Sequence, residues 1–247
     1  MRRTKTLTAV VMFVALLAAG CGASGDKAGG SSGKAGESYS PNIDPADFTT
    51  TVDNKYFPLK PSTTFVYEGK TKEGTERNDV TVTNDTRRVM GVECIVIRDK
   101  VFLNGSLTED TFDWYAQDRK GNVWYFGEDT KELQNGKVES TQGSWEAGVD
   151  GAKPGIIMQA DPKVGETYRQ EYYKGKAEDM GKVLSLDESA TVPYGSFDHL
   201  LMTKDWNPID SASGVEQKYY APGIGNILEV GVKGTSERVE LIDINKD

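Results

Sequence analysis

Cysteine is almost missing from these 247 residues, with only Cys21 and Cys94 present. Two thiols cannot build a disulfide framework or a cysteine-based zinc site. Histidine is scarcer still, and His199 alone would have to serve any imidazole-dependent triad or metal centre. No apolar run reaches the ~20 residues that a membrane-spanning helix needs. Basic charge is also short: 29 Lys and Arg stand against 38 Asp and Glu, for a net charge of −9. That balance opposes nonspecific phosphate binding, so nucleic acid is not expected as a partner.

What is present begins with an address. Met1-Arg2-Arg3-Thr4-Lys5 is a basic start, and Leu7 to Ala19 is an apolar stretch ending in small residues. Together these predict a secretory signal peptide over 1–20, cleaved rather than retained. The Arg2-Arg3 pair lacks the further residues of a twin-arginine signal. Leu16-Leu17-Ala18-Ala19-Gly20-Cys21 resembles the bacterial lipobox, with Ala18 standing where Leu is usual. That resemblance implies a diacylglyceryl group and palmitate on Cys21. Residues 21–43 are then expected as the lipidated cysteine and a flexible tether, since Gly22 to Ser40 is Gly, Ser, Ala and Lys without apolar periodicity. Residues 1–20 carry Arg2, Arg3 and Lys5 and no acid, so cleavage moves the net charge from −9 to −12. An acidic protein does not adhere to anionic lipid by charge, which leaves the acyl chains as the membrane attachment. The expected location is extracytoplasmic, anchored to a bacterial membrane through Cys21. Cys94, inside Val92-Glu93-Cys94-Ile95-Val96-Ile97, reads as a buried small hydrophobe.

Residues 44–247 are punctuated like a single β domain. Short runs rich in Val, Ile, Thr, Tyr, Phe and Trp alternate with Gly, Asn and Asp. Phe112 to Gln117 and Asn122 to Phe126 flank Asp118-Arg119-Lys120-Gly121, a type I turn pattern closing a hairpin. Asn135-Gly136 marks a second hairpin, and Ala46 to Thr51 suits at most a brief helical turn.

The chain also echoes itself. Lys60 and Thr64-Phe65 match Lys163 and Thr167-Tyr168, while Tyr67-Glu68-Gly69-Lys70 matches Tyr173-Lys174-Gly175-Lys176. Gly91 matches Gly195, Trp114-Tyr115-Ala116 matches Tyr219-Tyr220-Ala221, and Gly121-Asn122-Val123-Trp124 matches Gly225-Asn226-Ile227-Leu228. The order and the nearly constant spacing predict two pseudo-repeats, about 58–126 and 162–230, with an insertion over 127–160. The fold expected is mostly β: one antiparallel, strongly curved sheet or partly closed barrel built from two duplicated four-strand meanders. Lys131 to Ser140, rich in Lys and Glu, reads as an edge guard.

Trp114 to Asp118 with Gly121 to Tyr125, Val192-Pro193-Tyr194-Gly195-Ser196-Phe197, and Tyr219 to Gly225 resemble segments of uncharacterised bacterial envelope lipoproteins. The resemblance spans about residues 55 to 230 and implies an extracytoplasmic β-rich fold without an assigned activity. By fold analogy only, the signal, tether and curved sheet are also similar to lipoprotein carriers of the LolA and LppX type.

No catalytic residue, cofactor or metal site is predicted. Ser196, Asp198 and His199 crowd together, but an extended strand sends neighbours to opposite faces, and no Gly-x-Ser-x-Gly turn is present. Glu109-Asp110 with Asp113, Glu128-Asp129, and Asp205 with Asp210 lack the alternating carboxylates and Gly of a calcium loop and read as solvated charge. Aromatics carry the remaining signal. Alternation puts Phe112, Trp114 and Ala116 on one face and Asp113, Tyr115 and Gln117 on the other. Trp114, Tyr115, Tyr219 and Tyr220 are the candidate ligand-facing residues; core and cross-strand packing is their favoured role, and as a binding site at least one of Tyr115 and Tyr220 is expected to face an open concavity suited to an apolar or carbohydrate-like ligand. The functional expectation is a noncatalytic binding or envelope-assembly lipoprotein whose partner is such a ligand or an envelope protein. A carrier of lipid or another hydrophobic ligand, and an unrecognised hydrolase, are the alternatives.

Overall fold

The computed structural model describes residues 39–210, 214–234 and 237–246. The expected signal peptide, Cys21 and the expected tether up to residue 38 lie outside the described residues. A 3-10 turn over Pro45–Asp47, capped by the Asp44 side chain, leads into β1 (Phe48–Thr49). A first antiparallel run follows, made of β2 (Thr63–Lys70), β3 (Thr75–Val89), β4 (Val92–Leu103), β5 (Ser106–Asp118) and β6 (Val123–Gln134). Against β6 return β7 (Lys137–Ser140), β8 (Trp145–Glu146) and β9 (Lys153–Met158). The short β10 (Thr167–Arg169) and β11 (Glu171–Tyr172) precede β12 (Met180–Val192), β13 (Gly195–Trp206), β14 (Val215–Ala221), β15 (Gly225–Lys233) and β16 (Arg238–Lys246).

All sixteen strands belong to one antiparallel sheet, ordered β10-β12-β13-β14-β15-β16-β2-β3-β4-β5-β6-β9-β11, with β1, β7 and β8 off that path. The sheet curls into a nearly closed barrel with one unsealed seam. The seam falls where the path ends. β10 and β11 are separated only by Gln170, so one chain segment steps from one edge of the sheet to the other. Gly155 on β9 makes the close approach there, since a Cβ on it would lie 2.3 Å from the Gln170 carbonyl carbon and oxygen.

The two halves have the same strand order. β2 through β6 form consecutive hairpins, as do β12 through β15; β10 pairs with β12 across the intervening β11, and β16 bridges the second run to β2. Thr71 and Gly74 close the β2–β3 turn through a 2.9 Å backbone bond. The matching glycines Gly121 and Gly225 both adopt positive φ at the same turn of each half. The 127–160 segment is more than an insertion, because β9 forms part of the barrel wall. Asn135 and Gly136 adopt φ 53° and 73°, the left-handed pair that closes a two-residue hairpin.

Strands β4 to β6 are covered on both faces. Outside the barrel, Phe48 packs edge-on against Phe126 at 5.4 Å and Trp124 at 6.1 Å. Phe126 and its neighbours Cys94 and Ala116 are fully buried. Cys94 is pushed up to about 12 by that burial, which leaves its thiol inert. Tyr39 to Ile43 depart from the tether expected over 21–43. The Tyr39 hydroxyl donates to the Pro154 carbonyl at 2.7 Å, and its ring sits 5.6 Å from Tyr172 and 5.5 Å from the Arg169 guanidinium. Tyr39 has the aromatic surface that the Gly and Ser before it lack, so the folded domain starts five residues earlier, clasped across the seam.

Candidate functional site

Strand alternation gives the barrel interior its chemistry. On β5 the inward series is Glu109, Thr111, Asp113, Tyr115 and Gln117, and all five are buried. Beside it Ile97 and Asp99 point inward from β4, opposite Asp113 and Thr111, while Glu128 of β6 lies opposite Asp113. The second half repeats the arrangement with different residues. Tyr220 lies opposite Leu201, Lys218 opposite Thr203, and Glu229 of β15 opposite Lys218.

This corrects the reading of the acidic clusters as solvated charge. Glu109, Asp113, Glu128 and Asp205 are buried in the interior, whereas Asp110 and Asp129 face outward and pair with Arg98 and Lys131. These acids lie within strands, so every second one is carried inside. The overlooked signal is the unbroken polar alternation of β5, whose other face, Phe112, Trp114 and Ala116, is apolar and was the natural choice for a core.

Burial disfavours the charged form of each interior carboxyl, and like-charged neighbours add to it. Burial pushes Glu109 up to about 8, Asp113 up to about 7 and Glu229 up to about 8. It also drives Asp99 and Glu128 well above the carboxylate range, helped in both cases by Asp113. Hydrogen bonds hold several of them: Tyr125 Oη donates to Asp113 Oδ1 at 2.7 Å, Thr111 to Glu109 at 2.9 Å and Thr130 to Glu128 at 3.0 Å. Among the described residues the one buried ammonium is Lys218, whose Nζ is 3.6 Å from Glu229 and 3.8 Å from Asp205. Burial alone would lower its pKa, and Glu229, Asp205 and Glu216 more than reverse this and raise it.

Above this polar layer is a cavity of about 50 Å³. Its walls come from strands all round the barrel, including Phe65 of β2, Val82 of β3, Ile97 of β4 and Ile157 of β9. Tyr115 and Tyr220 both line it, and Lys218 and Glu229 reach it from the polar layer. Tyr115 stacks on Tyr125 at 4.8 Å and meets Phe57 edge-on at 5.6 Å. Trp114 and Tyr219 are not part of the cavity. Trp114 faces outward beneath the Arg87 guanidinium, 3.9 Å away, and the Tyr219 hydroxyl contacts Gln217 at 3.4 Å on the half-buried exterior.

The loop from Val52 to Leu59 closes the barrel end over this cavity. Its backbone bridges Val52 to Leu59, and Gln117 Oε1 accepts from the amides of Asp53 at 3.0 Å and Asn54 at 2.9 Å. Asn54 Nδ2 donates to the carbonyls of Gly121 at 2.8 Å and Gln159 at 3.1 Å, tying the loop to the neighbouring turn. Gly223 of the β14–β15 turn donates to the Lys55 carbonyl at 2.7 Å. On the outer side of the same loop runs a polar groove of about 560 Å³, bordered by Asp53, Lys60, Asn84 and Asp85.

The suggestive Ser, Asp and His cluster does not assemble. Ser196 pairs with Thr191 at 2.9 Å across the β12–β13 hairpin, while exposed His199 pairs with Asp187 at 2.6 Å. Among the described residues no three His, Cys, Asp or Glu side chains converge as a metal site would require.

No protein-family model matches this chain, and no curated protein matches it. Two solved structures are similar. One is a Bacteroides fragilis protein assigned as exported, with a YmcC-like fold: 14% identity, TM-score 0.48, covering 78% of this chain and all of that one. The other is a Parabacteroides distasonis protein assigned as a lipoprotein: 12% identity, TM-score 0.43, with the same coverage of 78% and 100%.

Proposed function

We propose that this chain is an extracytoplasmic lipoprotein, anchored through acyl chains on Cys21, whose barrel binds a small amphiphilic ligand and catalyses no reaction. The observation that carries the reading is the cavity shared by the two halves. Matching tyrosines, Tyr115 and Tyr220, line a single apolar space whose polar side is the Lys218–Glu229 pair. Apolar walls with a few convergent polar groups are the usual composition of a ligand site. At about 50 Å³ the cavity is far below the ~300 Å³ at which drug-sized pockets begin, so a whole acyl chain does not fit and lipid carriage is the weaker alternative. Hydrolysis has less support, since Ser196 and His199 have other partners.

The test is native mass spectrometry of the full-length protein released from membranes, beside an Ile157→Phe variant that fills the cavity. A small bound mass in the wild type and its loss in the variant is the expected result. A mass retained by the filled variant places the ligand elsewhere and overturns the assignment.

A further inference from the structure

We propose that the cavity selects a primary amine, with a short aliphatic body against Phe65, Val82 and Ile97 and an ammonium group donating to Glu229. The inference rests on the binding reading above and narrows its ligand class.

Hydrogen-bond arithmetic on the polar side of the cavity leads to it. Among the described residues Glu229 Oε2 has no hydrogen-bond partner, although the residue is 3% exposed and lines the cavity. Its other oxygen accepts from Asn226 Nδ2 at 2.5 Å and lies 3.6 Å from Lys218. Deeper in the interior, beyond the cavity lining, Asp99 Oδ1, Asn78 Oδ1 and Asp205 Oδ1 also have no hydrogen-bond partner among the described residues. Tyr67, which also lines the cavity, is in the electrostatic field of both Glu229 and Asp99. A buried acceptor without a donor costs stability that a ligand's N–H groups would restore. The ammonium of Lys218 does not supply them all, because Asp205 and Glu229 already share it.

The same geometry disfavours the opposite ligand. A carboxylate or phosphate head would bring more acceptors to a side of the cavity where Glu229 already offers one without a donor, and Lys218, the cation there, already pairs with Glu229 and Asp205. Volume sets the length. About 50 Å³ accommodates on the order of four water-sized groups, which suits a three-carbon amine.

The experiment compares n-propylamine, 1-propanol and propionate, which share a chain length and differ in the head. Full-length protein in lipid nanodiscs is labelled at isoleucine methyl groups, so that Ile97, Ile157 and Ile224 report from the cavity wall. Propylamine should shift these three methyls saturably, with an affinity about tenfold above that of propanol, the worth of one charge-assisted hydrogen bond. Propionate should leave them unmoved. Glu229→Gln should abolish the preference of amine over alcohol while propanol still binds.

Propionate binding as well as propylamine overturns the amine assignment and leaves the cavity reading standing, and the wild-type series decides this even if the variant fails to fold. An amine preference that survives in a folded Glu229→Gln protein also overturns it. Silence of all three methyls with every probe overturns both readings.

Discussion

Replacing Glu109 by Gln should flatten the pH dependence of stability. Glu109 is 2% exposed, accepts a 2.9 Å bond from Thr111 and has its carboxyl pushed by burial from 4.5 up to about 8. The folded state therefore holds this proton more tightly than the unfolded chain does. The associated stability is fully present below about pH 4.5 and is lost as pH rises through about 8. A rise of about 3.5 units corresponds to a ceiling of about 5 kcal/mol, at about 1.4 kcal/mol for each pH unit between those limits. Against total stabilities of about 5–15 kcal/mol for a domain, one such carboxyl is a large share.

Asp113 and Glu229, raised to about 7 and about 8, have the same sign, so the wild type should be more stable at pH 5.5 than at pH 7.5. Glutamine retains the acceptor that Thr111 uses and has no proton to lose. Urea unfolding of full-length protein in detergent, followed by tryptophan fluorescence from pH 5.5 to 8, measures both slopes. The Glu109→Gln slope should be shallower by about 1 kcal/mol per pH unit. Wild-type stability that rises over this range, or equal slopes in the two proteins, would refute the assignment of these acids to a dry interior.

Other perturbations probe the seam, the ion pair and the anchor. Gly155→Ala places a Cβ 2.3 Å from the Gln170 backbone, so it should lower stability by about 1–3 kcal/mol and speed hydrogen exchange at Tyr168 and Gln170; unchanged exchange there would contradict the close approach. Lys218→Met leaves Glu229 and Asp205 buried without their cation and should lower the unfolding free energy by about 3–5 kcal/mol, measured by denaturant titration at pH 8; a neutral effect would mean the pair is not desolvated. Cys21→Ala should abolish acyl labelling and either free the protein from the membrane fraction or leave an uncleaved precursor, and acylation persisting in the variant refutes the lipidation site.

Much of the sheet was readable because its turns are written in local chemistry. Asp118 accepts from the amides of Lys120 and Asn122, and Asn135-Gly136 takes the left-handed pair, so both hairpins follow from residues within a few positions of each other. The interior was less legible because both faces of β5 are buried. Trp114 belongs to the buried core beneath Arg87 and half-buried Phe112 packs beneath Arg98, while Asp113 and Tyr115 turn to the barrel interior. Nothing within β5 reveals that the N-terminal residues 43–49 and the turn before β9 will cover its outer face. That information is long-range, as is the role of Tyr39, which looked like the end of a tether until Pro154 and Tyr172 appeared beside it.

The two runs of strands differ where they meet the cavity. In the first half the opposing inward pair is Asp113 and Glu128; in the second the corresponding pair is Lys218 and Glu229. Each pair adjoins an inward tyrosine, Tyr115 or Tyr220. In this dry interior burial pushes Asp113 up to about 7, against the lowering effect of the hydrogen bond it accepts from Tyr125. A lysine in the matching place forms an ion pair instead, and it draws in Asp205 from β13. The first half thus contributes stacked aromatics, Tyr115 on Tyr125, and the second a polarised pair. A symmetric copy of either half would give two sealed cores or two acid pairs. Their combination leaves apolar surface on one side of the cavity and, on the other, Glu229 Oε2 without a hydrogen-bond partner among the described residues, the arrangement on which the proposed amine ligand rests.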